Sequence, residues 1–456
     1  MIMQENNSLY YPKFCNKWDA YKLYDLAKWK NGLAFKNINF SDFGYPVIKI
    51  AELKNGLTTQ TRYTKDKFDD TVRLIKGDIV FSWSGNPETS IDVFWYNLPT
   101  GWLNQHIFKI TVKEIVEDKY FYYLLKSLKP TFKQIATNKQ TTGLGHITIA
   151  DLKRIQVKLP EPCNQRHVSS ILSVLDDYIK VNQKINNKLE EIAQSLFKHW
   201  FIDFNFPDEN GTPYKDSGGA MVDSELGKIP KGWGIVELGN IITLNKGKSY
   251  KSSELANFGL PMVNLKCFGR NHEFRHDGIK YFIGQYKDTH IVKSNDLVIS
   301  MTDVTQQAEI IANVLMIPNY LSKAIISLDV SSINSKNGEV SNYFLYYLLK
   351  TKMFRDFAKG YASGTTVLHL NKNGILNYKF VLPDSTTLKQ ISAILKDIIT
   401  QKDTNIAQNV TLTNIRDTLL PKLMSGEIDV SKCHSRVGSC HSRVGSCHSR
   451  VGGNPE

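Results

Sequence analysis

The chain has 456 residues, 41% hydrophobic and 22% charged, enough for about three domains, and this ordinary composition excludes collagen-like, wholly disordered and disulfide-scaffold classes. Lysine and arginine outnumber aspartate and glutamate by 57 to 44; the last 26 residues hold Lys432, Arg436, Arg443 and Arg450 against Glu456, a net +3, so of the formal +13 the body keeps +10. That excess, with 11% aromatic residues, points to a polyanionic partner such as DNA, RNA or an acidic membrane surface.

No stretch approaches about 18 uninterrupted apolar residues, so no membrane span is expected. Met1 to Phe14 lacks the basic-then-apolar pattern of a secretory signal. Cys15, Cys163 and Cys267 stand alone and the other three cysteines lie in the tail, poor material for a disulfide framework or a zinc site, so a reducing, cytoplasmic setting is expected.

Residues 1–160 read as a first α+β domain. Short β-rich runs, Tyr45-Pro46-Val47-Ile48-Lys49-Ile50 and Asp78-Ile79-Val80-Phe81-Ser82, precede a helix pattern near Tyr120 to Leu128. Thr141-Thr142-Gly143-Leu144-Gly145-His146-Ile147 then leads to Lys158-Leu159-Pro160, and Thr148-Ile149-Ala150-Asp151 approximates a capping box. Residues 161–206 carry a long helix. Its expected seam is Val168, Ile171, Leu175, Tyr178, Asn182, Ile185, Leu189, Ile192 and Leu196, steps of three and four sustained over four heptads. Residues 207–228 form a linker punctuated by Gly211, Pro213, Gly218, Gly219 and Gly227.

Residues 229–383 repeat the first domain. Gly364-Thr365-Thr366-Val367-Leu368-His369-Leu370 leads to Val381-Leu382-Pro383, and His369 and Pro383 each lie 223 positions beyond His146 and Pro160. Tyr347-Leu348-Leu349-Lys350 matches Tyr123-Leu124-Leu125-Lys126, Asn295-Asp296-Leu297-Val298 resembles Gly77-Asp78-Ile79-Val80, and Asn371 stands where Thr148 stood, as a helix N-cap. Residues 384–430 carry the second long helix, whose seam by the same offset is Ile391, Ile394, Ile398, Gln401, Asn405, Gln408, Leu412, Ile415 and Leu419. Asn182 and Asn405 are the central members of the two seams; antiparallel pairing about a pseudo-twofold axis predicts that they face each other and fix the register. Residues 431–456 repeat Cys-His-Ser-Arg-Val-Gly-Ser from Cys433, Cys440 and Cys447, without an apolar seam or the ligand spacing of a metal site, and are expected to be a disordered tail.

Four further pieces occur in order. Leu196-Phe197-Lys198-His199-Trp200-Phe201-Ile202-Asp203-Phe204 closes the first helix, Pro213-Tyr214-Lys215-Asp216-Ser217-Gly218-Gly219-Ala220-Met221-Val222 lies in the linker, Ile229-Pro230-Lys231-Gly232-Trp233 opens the second half, and Leu419-Leu420-Pro421-Lys422-Leu423-Met424-Ser425-Gly426-Glu427-Ile428 closes the second helix. With the duplication, the chain over roughly residues 14 to 430 resembles the specificity (S) subunit of type I restriction-modification enzymes. The resemblance implies two target-recognition domains, each reading half of a split double-stranded DNA site, joined by an antiparallel coiled-coil spacer. It also implies assembly with two methyltransferase (M) subunits and two endonuclease (R) subunits, which use S-adenosylmethionine, ATP and Mg; no cofactor is expected on this chain. A helix from Asn164 to Trp200 is about 55 Å long at 1.5 Å per residue, a ruler for a fixed unread gap.

The chain's own motifs exclude familiar chemistry. It has no Asn/Asp-Pro-Pro-aromatic run of an amino-methyltransferase, Gly247-Lys248-Ser249 lacks the glycine five positions earlier that a phosphate loop needs, and Pro207-Asp208 and Pro383-Asp384 are not followed by the Asp/Glu-x-Lys of a nuclease. A non-catalytic specificity subunit is therefore the reading, with a divergent single-chain methyltransferase or nuclease, or a decayed coiled-coil adaptor, as alternatives.

Base reading needs polar side chains on loops, and phosphate contact needs Lys, Arg, hydroxyls or helix ends. The loops after the Asp78 and Asp296 strands offer Ser84, Gly85 and Asn86, and Asp303, Thr305, Gln306 and Gln307, as base readers. Lys36 and Lys248 are candidate phosphate contacts. Thr142 and Thr365 and His146 and His369 recur in both halves, which should read different sequences, so a phosphate or structural role is expected of them. Trp200, Phe201 and Phe204 are candidates for partner docking or for packing at a domain junction.

Overall fold

The computed structural model describes residues 9–10, 18–140, 143–269, 272–305 and 308–431. The chain divides into two units, Met1–Tyr178 with Leu412–Glu456, and Ile179–Thr411, so the division runs through both long helices, Pro162–Phe201 and Ser385–Ser425.

Each unit is built around one strand buried on both faces. In the first it is Ile79–Ser82, all four residues buried, with Ile79 and Phe81 turned to a core shared with the helices Asp118–Ser127 and Lys129–Asn138 and Val80 turned to a second core. Side chains alternate along a strand, so a continuous apolar run is stable only with a hydrophobic layer on each side. The repeat keeps the device: in Leu297–Ser300, Leu297 and Ile299 join one core and Val298 the other.

Topology repeats as well. In the first unit the antiparallel sheet runs in the order Ala27–Asn31, Ile107–Val112, Ile79–Ser82, Asp92–Trp95; in the second it runs Ile242–Lys246, Val330–Ser335, Leu297–Ser300, Val314–Met316. A further sheet in each holds one parallel pair, Tyr45–Ile48 with Gly101–Leu103 and Leu260–Val263 with Ala324–Ile326. The helices that cover the first sheet begin at matching caps, where the Glu117 carboxylate accepts from Tyr120 N–H and the Ser341 hydroxyl from Phe344 N–H. The capping box at Thr148 forms, with Asp151 N–H donating to Thr148 Oγ1 at 3.2 Å and Thr148 N–H to Asp151 Oδ2 at 2.8 Å. Its counterpart is displaced: Lys372, not Asn371, is the N-cap of Asn373–Leu376, and the Asn371 carboxamide accepts from Asn373 N–H one residue outside it.

The linker has structure of its own. Met221–Ser224 and Gly227–Pro230 form an antiparallel hairpin, and Phe206 stacks between Tyr214 and Trp233 with ring centroids 4.6 Å from each.

Along both long helices the buried stripe departs from the expected seam in one systematic way. Val168, Leu175, Asn182, Leu189 and Leu196 are on it, but Ile171, Tyr178, Ile185 and Ile192 are exposed and their places are taken by Leu172, Ile179, Asn186 and Ala193, one residue later in each case. The C-terminal helix shows the same shift, with Ile394, Gln401, Gln408 and Ile415 replaced by Leu395, Lys402, Asn409 and Arg416. Steps of four and three thus replace steps of three and four. The middle of the stripe is asparagine and lysine, so choosing apolar residues selected the wrong neighbour there.

This shift corrects the register. Asn182 does not meet Asn405. Within the second unit Asn182 Nδ2 donates to Asn409 Oδ1 at 3.0 Å and to Gln408 Oε1 at 3.3 Å, while Asn405 Nδ2 donates to Asn186 Oδ1 at 2.8 Å. The two segments run antiparallel, since higher numbers on one meet lower numbers on the other. Asn409 Nδ2 also reaches the Ile179 carbonyl and Asn186 Nδ2 the Lys402 carbonyl, a relation that repeats at the 223-residue offset.

A carboxylate of the central helix ties the elements together in each unit. Glu190 accepts from the ammonium groups of Lys350 and Lys402 and from Tyr347 OH. Burial alone would raise its carboxyl, but the two ammonium groups hold it at about 2. In the first unit Asp176 accepts from Tyr123 OH at 2.7 Å and Arg416 Nη1 at 2.8 Å.

Candidate nucleic-acid interface

Both units bring the loop after the doubly buried strand against the threonine-histidine segment. In the first, Gly145–His146 pairs antiparallel with Ser84–Gly85, placing His146 opposite Ser84. In the second, Leu368–Leu370 pairs with Thr302–Asp303, placing His369 opposite Thr302. Two stretches about 60 residues apart in sequence thus form one arm in each unit, and the candidate base readers and the recurrent histidines belong to the same arm.

The chemistry of the arms differs. Asn86 is exposed at the first tip; its Oδ1 accepts from Glu88 N–H at 2.9 Å and Thr89 N–H at 3.3 Å, and among the described residues its Nδ2 has no partner. The turn requires Gly85, which has φ +130° and where a Cβ would lie 2.6 Å from the Ser90 Cβ. Ser84 and His146 are half-buried.

In the second arm Asp303 is a correction. It is 1% exposed and accepts from the backbone N–H of Thr305, Ile310 and Ile311 at 2.7, 2.6 and 2.9 Å, so its carboxylate shapes the loop from inside and does not face a groove. Burial opposes its charge, but the Thr305 side chain and these N–H groups together hold the carboxyl below its ordinary value. Thr305 is half-buried and its hydroxyl accepts from Glu309 N–H at 3.0 Å, a second internal brace. Thr365 and His369 are exposed. Gln306, Gln307 and Thr142 lie outside the described residues.

The two candidate lysines are not equivalent. Gly32 and Gly247 are, since a Cβ would meet the Asn104 carbonyl oxygen at 2.2 Å in one case and the Ser327 carbonyl oxygen at 2.1 Å in the other, and the next residues, Leu33 and Lys248, each bridge that same partner. Lys248 therefore matches Leu33. The counterpart of Lys36 is Lys251, which the sequence reading missed: both are exposed, and their backbone N–H groups donate to Asn39 Oδ1 and Glu254 Oε2, three residues on. The signal was the shared spacing, Lys36-x-x-Asn39 and Lys251-x-x-Glu254. Phe43 and Phe258 were missed too. They are 65% and 71% exposed, each opens a Phe-Gly-x-Pro run, and the glycines share φ +122°.

Of the two expectations for the aromatic cluster, Trp200 and Phe201 take the packing one. Trp200 and Phe201 are each 7% exposed, in the core of the second unit, where Phe201 packs edge-on to Phe344 with centroids 5.2 Å apart and lies 5.8 Å from Trp233. Phe204 is half-buried, edge-on to Trp233 at 5.9 Å. Phe201 and Phe204 also line an open cleft of about 780 Å³.

Among the described residues no cluster of three or more His, Cys, Asp or Glu is suited to a metal ion, and no helix is long and apolar enough to cross a membrane.

The arms occur twice, and so does the match to known proteins. The family model described as the type I restriction modification DNA specificity domain matches residues 16–191 and again 230–414. The chain is 28% identical over 342 residues to the type I restriction enzyme MjaIX specificity subunit of Methanocaldococcus jannaschii, covering 72% of this chain and 73% of that one. It is 25% identical to the HindI specificity subunit of Haemophilus influenzae, covering 69% and 78%. Among solved structures, the type I restriction-modification S subunit from M. genitalium has a similar fold, with TM-score 0.52, 17% identity and coverage of 90% of this chain and 98% of the other.

Proposed function

We propose a working for this chain from one premise: it belongs to the type I restriction-modification DNA specificity family. It is the non-catalytic DNA-specificity subunit of a type I restriction-modification system, binding a bipartite site and directing partner subunits that modify or cut DNA. The observation that carries the reading is the duplicated family match, accompanied by a duplicated arm whose tips differ in chemistry.

The finer assignments are ours. Residues 1–160 and 229–383 act as the recognition domains, and the long helices between and after them set the gap. Asn86 reads a base edge from the first arm, and Gln306 and Gln307 remain the readers for the second, since a carboxamide can pair with adenine through two hydrogen bonds. Lys36 and Lys251, with Lys248, contact phosphates; His146, His369 and Thr365 steady the arms against the backbone. Two M subunits supply adenine methylation with S-adenosylmethionine, and two R subunits supply ATP- and Mg-dependent cleavage, in the cytoplasm.

Modification-resolved sequencing of the host genome with and without the gene tests this. A split adenine-methylated motif with two unlike halves should vanish on deletion. A methylation pattern unchanged by deletion counts against the reading.

A further inference from the structure

The repeat aligns the two arm tips residue by residue. Ser84 faces His146 and Gly85 faces Gly145 in the first arm, while Thr302 faces His369 and Asp303 faces Leu368 in the second. Ser84 and Thr302, the partners of the recurrent histidines, stand 218 positions apart, as do Asp78 and Asp296 just ahead of the two doubly buried strands. Asn86 and Val304 share that spacing, so they hold the same place, one step beyond the paired residues. The carboxamide of the first tip is thus answered in the second by an isopropyl group.

Both side chains are turned outward by the turn beneath them. Asp303 is buried and accepts from the N–H groups of Thr305, Ile310 and Ile311, and direction alternates along the strand, so Val304 points out and is 66% exposed. Asn86 is exposed above Gly85, with its Oδ1 bracing Glu88 and Thr89. A single exposed valine is ordinary on a protein surface. This one occupies the position at which the other unit exposes a base-reading carboxamide, on a loop whose inward side chain fixes it.

The neighbours across the tip are alike in the two arms. Leu144 precedes Gly145 as Val367 precedes Leu368; the two are 223 positions apart and both are exposed. A feature common to both halves cannot make their half-sites differ, whereas Asn86 against Val304 can. An isopropyl group donates and accepts no hydrogen bond. In the major groove the one apolar group that a base presents to it is the C5-methyl of thymine.

We propose that Val304 reads the C5-methyl group of one thymine in the second half-site, as the counterpart of Asn86 in the first. This rests on the DNA-specificity reading given above and adds to it the residue and the base.

The test uses the complex of the full chain with its methyltransferase subunits. Its site is first selected from duplexes with both halves randomised, and each selected thymine is then replaced singly by deoxyuridine, which lacks only the methyl group. One replacement in the second half-site should weaken binding of the native complex about fourfold, the effect of one buried methyl. The same replacement should change binding by less than twofold in V304A, while replacements in the first half-site act equally on both proteins. Absence of any sensitive thymine in the second half-site overturns the proposal, as does equal sensitivity in the native complex and V304A. Looser assembly of V304A with the methyltransferase subunits, with the thymine preference kept, assigns Val304 to a protein contact and likewise overturns it. Selection of no split site by the native complex is a different result, which overturns the DNA-specificity reading itself.

Discussion

Asn182 and Asn409 meet at 3.0 Å, and Asn405 and Asn186 repeat that contact 223 residues out of phase, so four asparagines occupy the buried stripe where a coiled coil would ordinarily hold leucine or isoleucine. Buried carboxamides must find partners, and in this alignment all four do, whereas a slip by one turn would set Asn182 against Asn405 and part Asn409 and Asn186 from their present partners. Cysteines at 182 and 409 should therefore cross-link under mild oxidation at least tenfold faster than cysteines at 182 and 405, measured by gel mobility. The reverse order would refute the register.

Glu190 should be the most costly single removal in the second unit. E190A leaves the Lys350 and Lys402 ammonium groups facing each other in a largely buried site, a loss of about 3–5 kcal/mol for breaking such a pair from one side. Its carboxyl is held at about 2 against an ordinary 4.5, so its contribution is complete above about pH 4.5 and disappears as pH falls through 2. Native-state stability should fall by about 3 kcal/mol across that window, at about 1.4 kcal/mol per pH unit. E190Q, already weaker at neutral pH, should lose less over the same range in denaturant titrations.

What sequence could and could not show follows from these residues. The duplication was legible because Tyr123 and Tyr347, His146 and His369, and Pro160 and Pro383 keep nearly constant spacing, and the fold class followed from runs such as Ile79–Ser82 and Leu297–Ser300. The phase of the long helices was not, since Asn186, Asn409 and Lys402 lie on the buried stripe while Ile185 and Ile192 face outward. Asp303 was misread because acceptance from three backbone N–H groups leaves no trace in composition. Lys251 was passed over because the alignment of Lys248 with Leu33, and so of Lys251 with Lys36, rests on how Gly32 and Gly247 pack against Asn104 and Ser327, which residue type does not reveal.

Lys36 and Lys251 should behave alike on DNA. Each stands exposed at the same point of its domain, and loss of one phosphate contact reduces the slope of log affinity against log salt by about 0.9. K36A and K251A in the assembled complex should weaken specific and non-specific duplexes by similar factors, leaving sequence preference unchanged. A change in preferred sequence would make either lysine a base reader, and an unchanged slope would remove it from the interface.

Asn86 and Asp303 should separate readout from scaffolding. N86A removes an exposed carboxamide whose Oδ1 serves only the local turn, so its melting temperature should move little, while discrimination at one base pair falls by about 1–3 kcal/mol. D303A strips the acceptor from the N–H groups of Thr305, Ile310 and Ile311, and leaving buried donors unpaired costs about 1–3 kcal/mol each before the loop relaxes. It should lower the melting temperature of the free protein and weaken every duplex that engages the second half-site. Because the Asp303 carboxyl is held below its ordinary 3.8, its contribution is present above that value and is lost only as pH falls through the lowered one. Binding selections against randomised half-sites, paired with thermal melts, distinguish the two: altered sequence choice in D303A at unchanged stability would return Asp303 to the base-reading face.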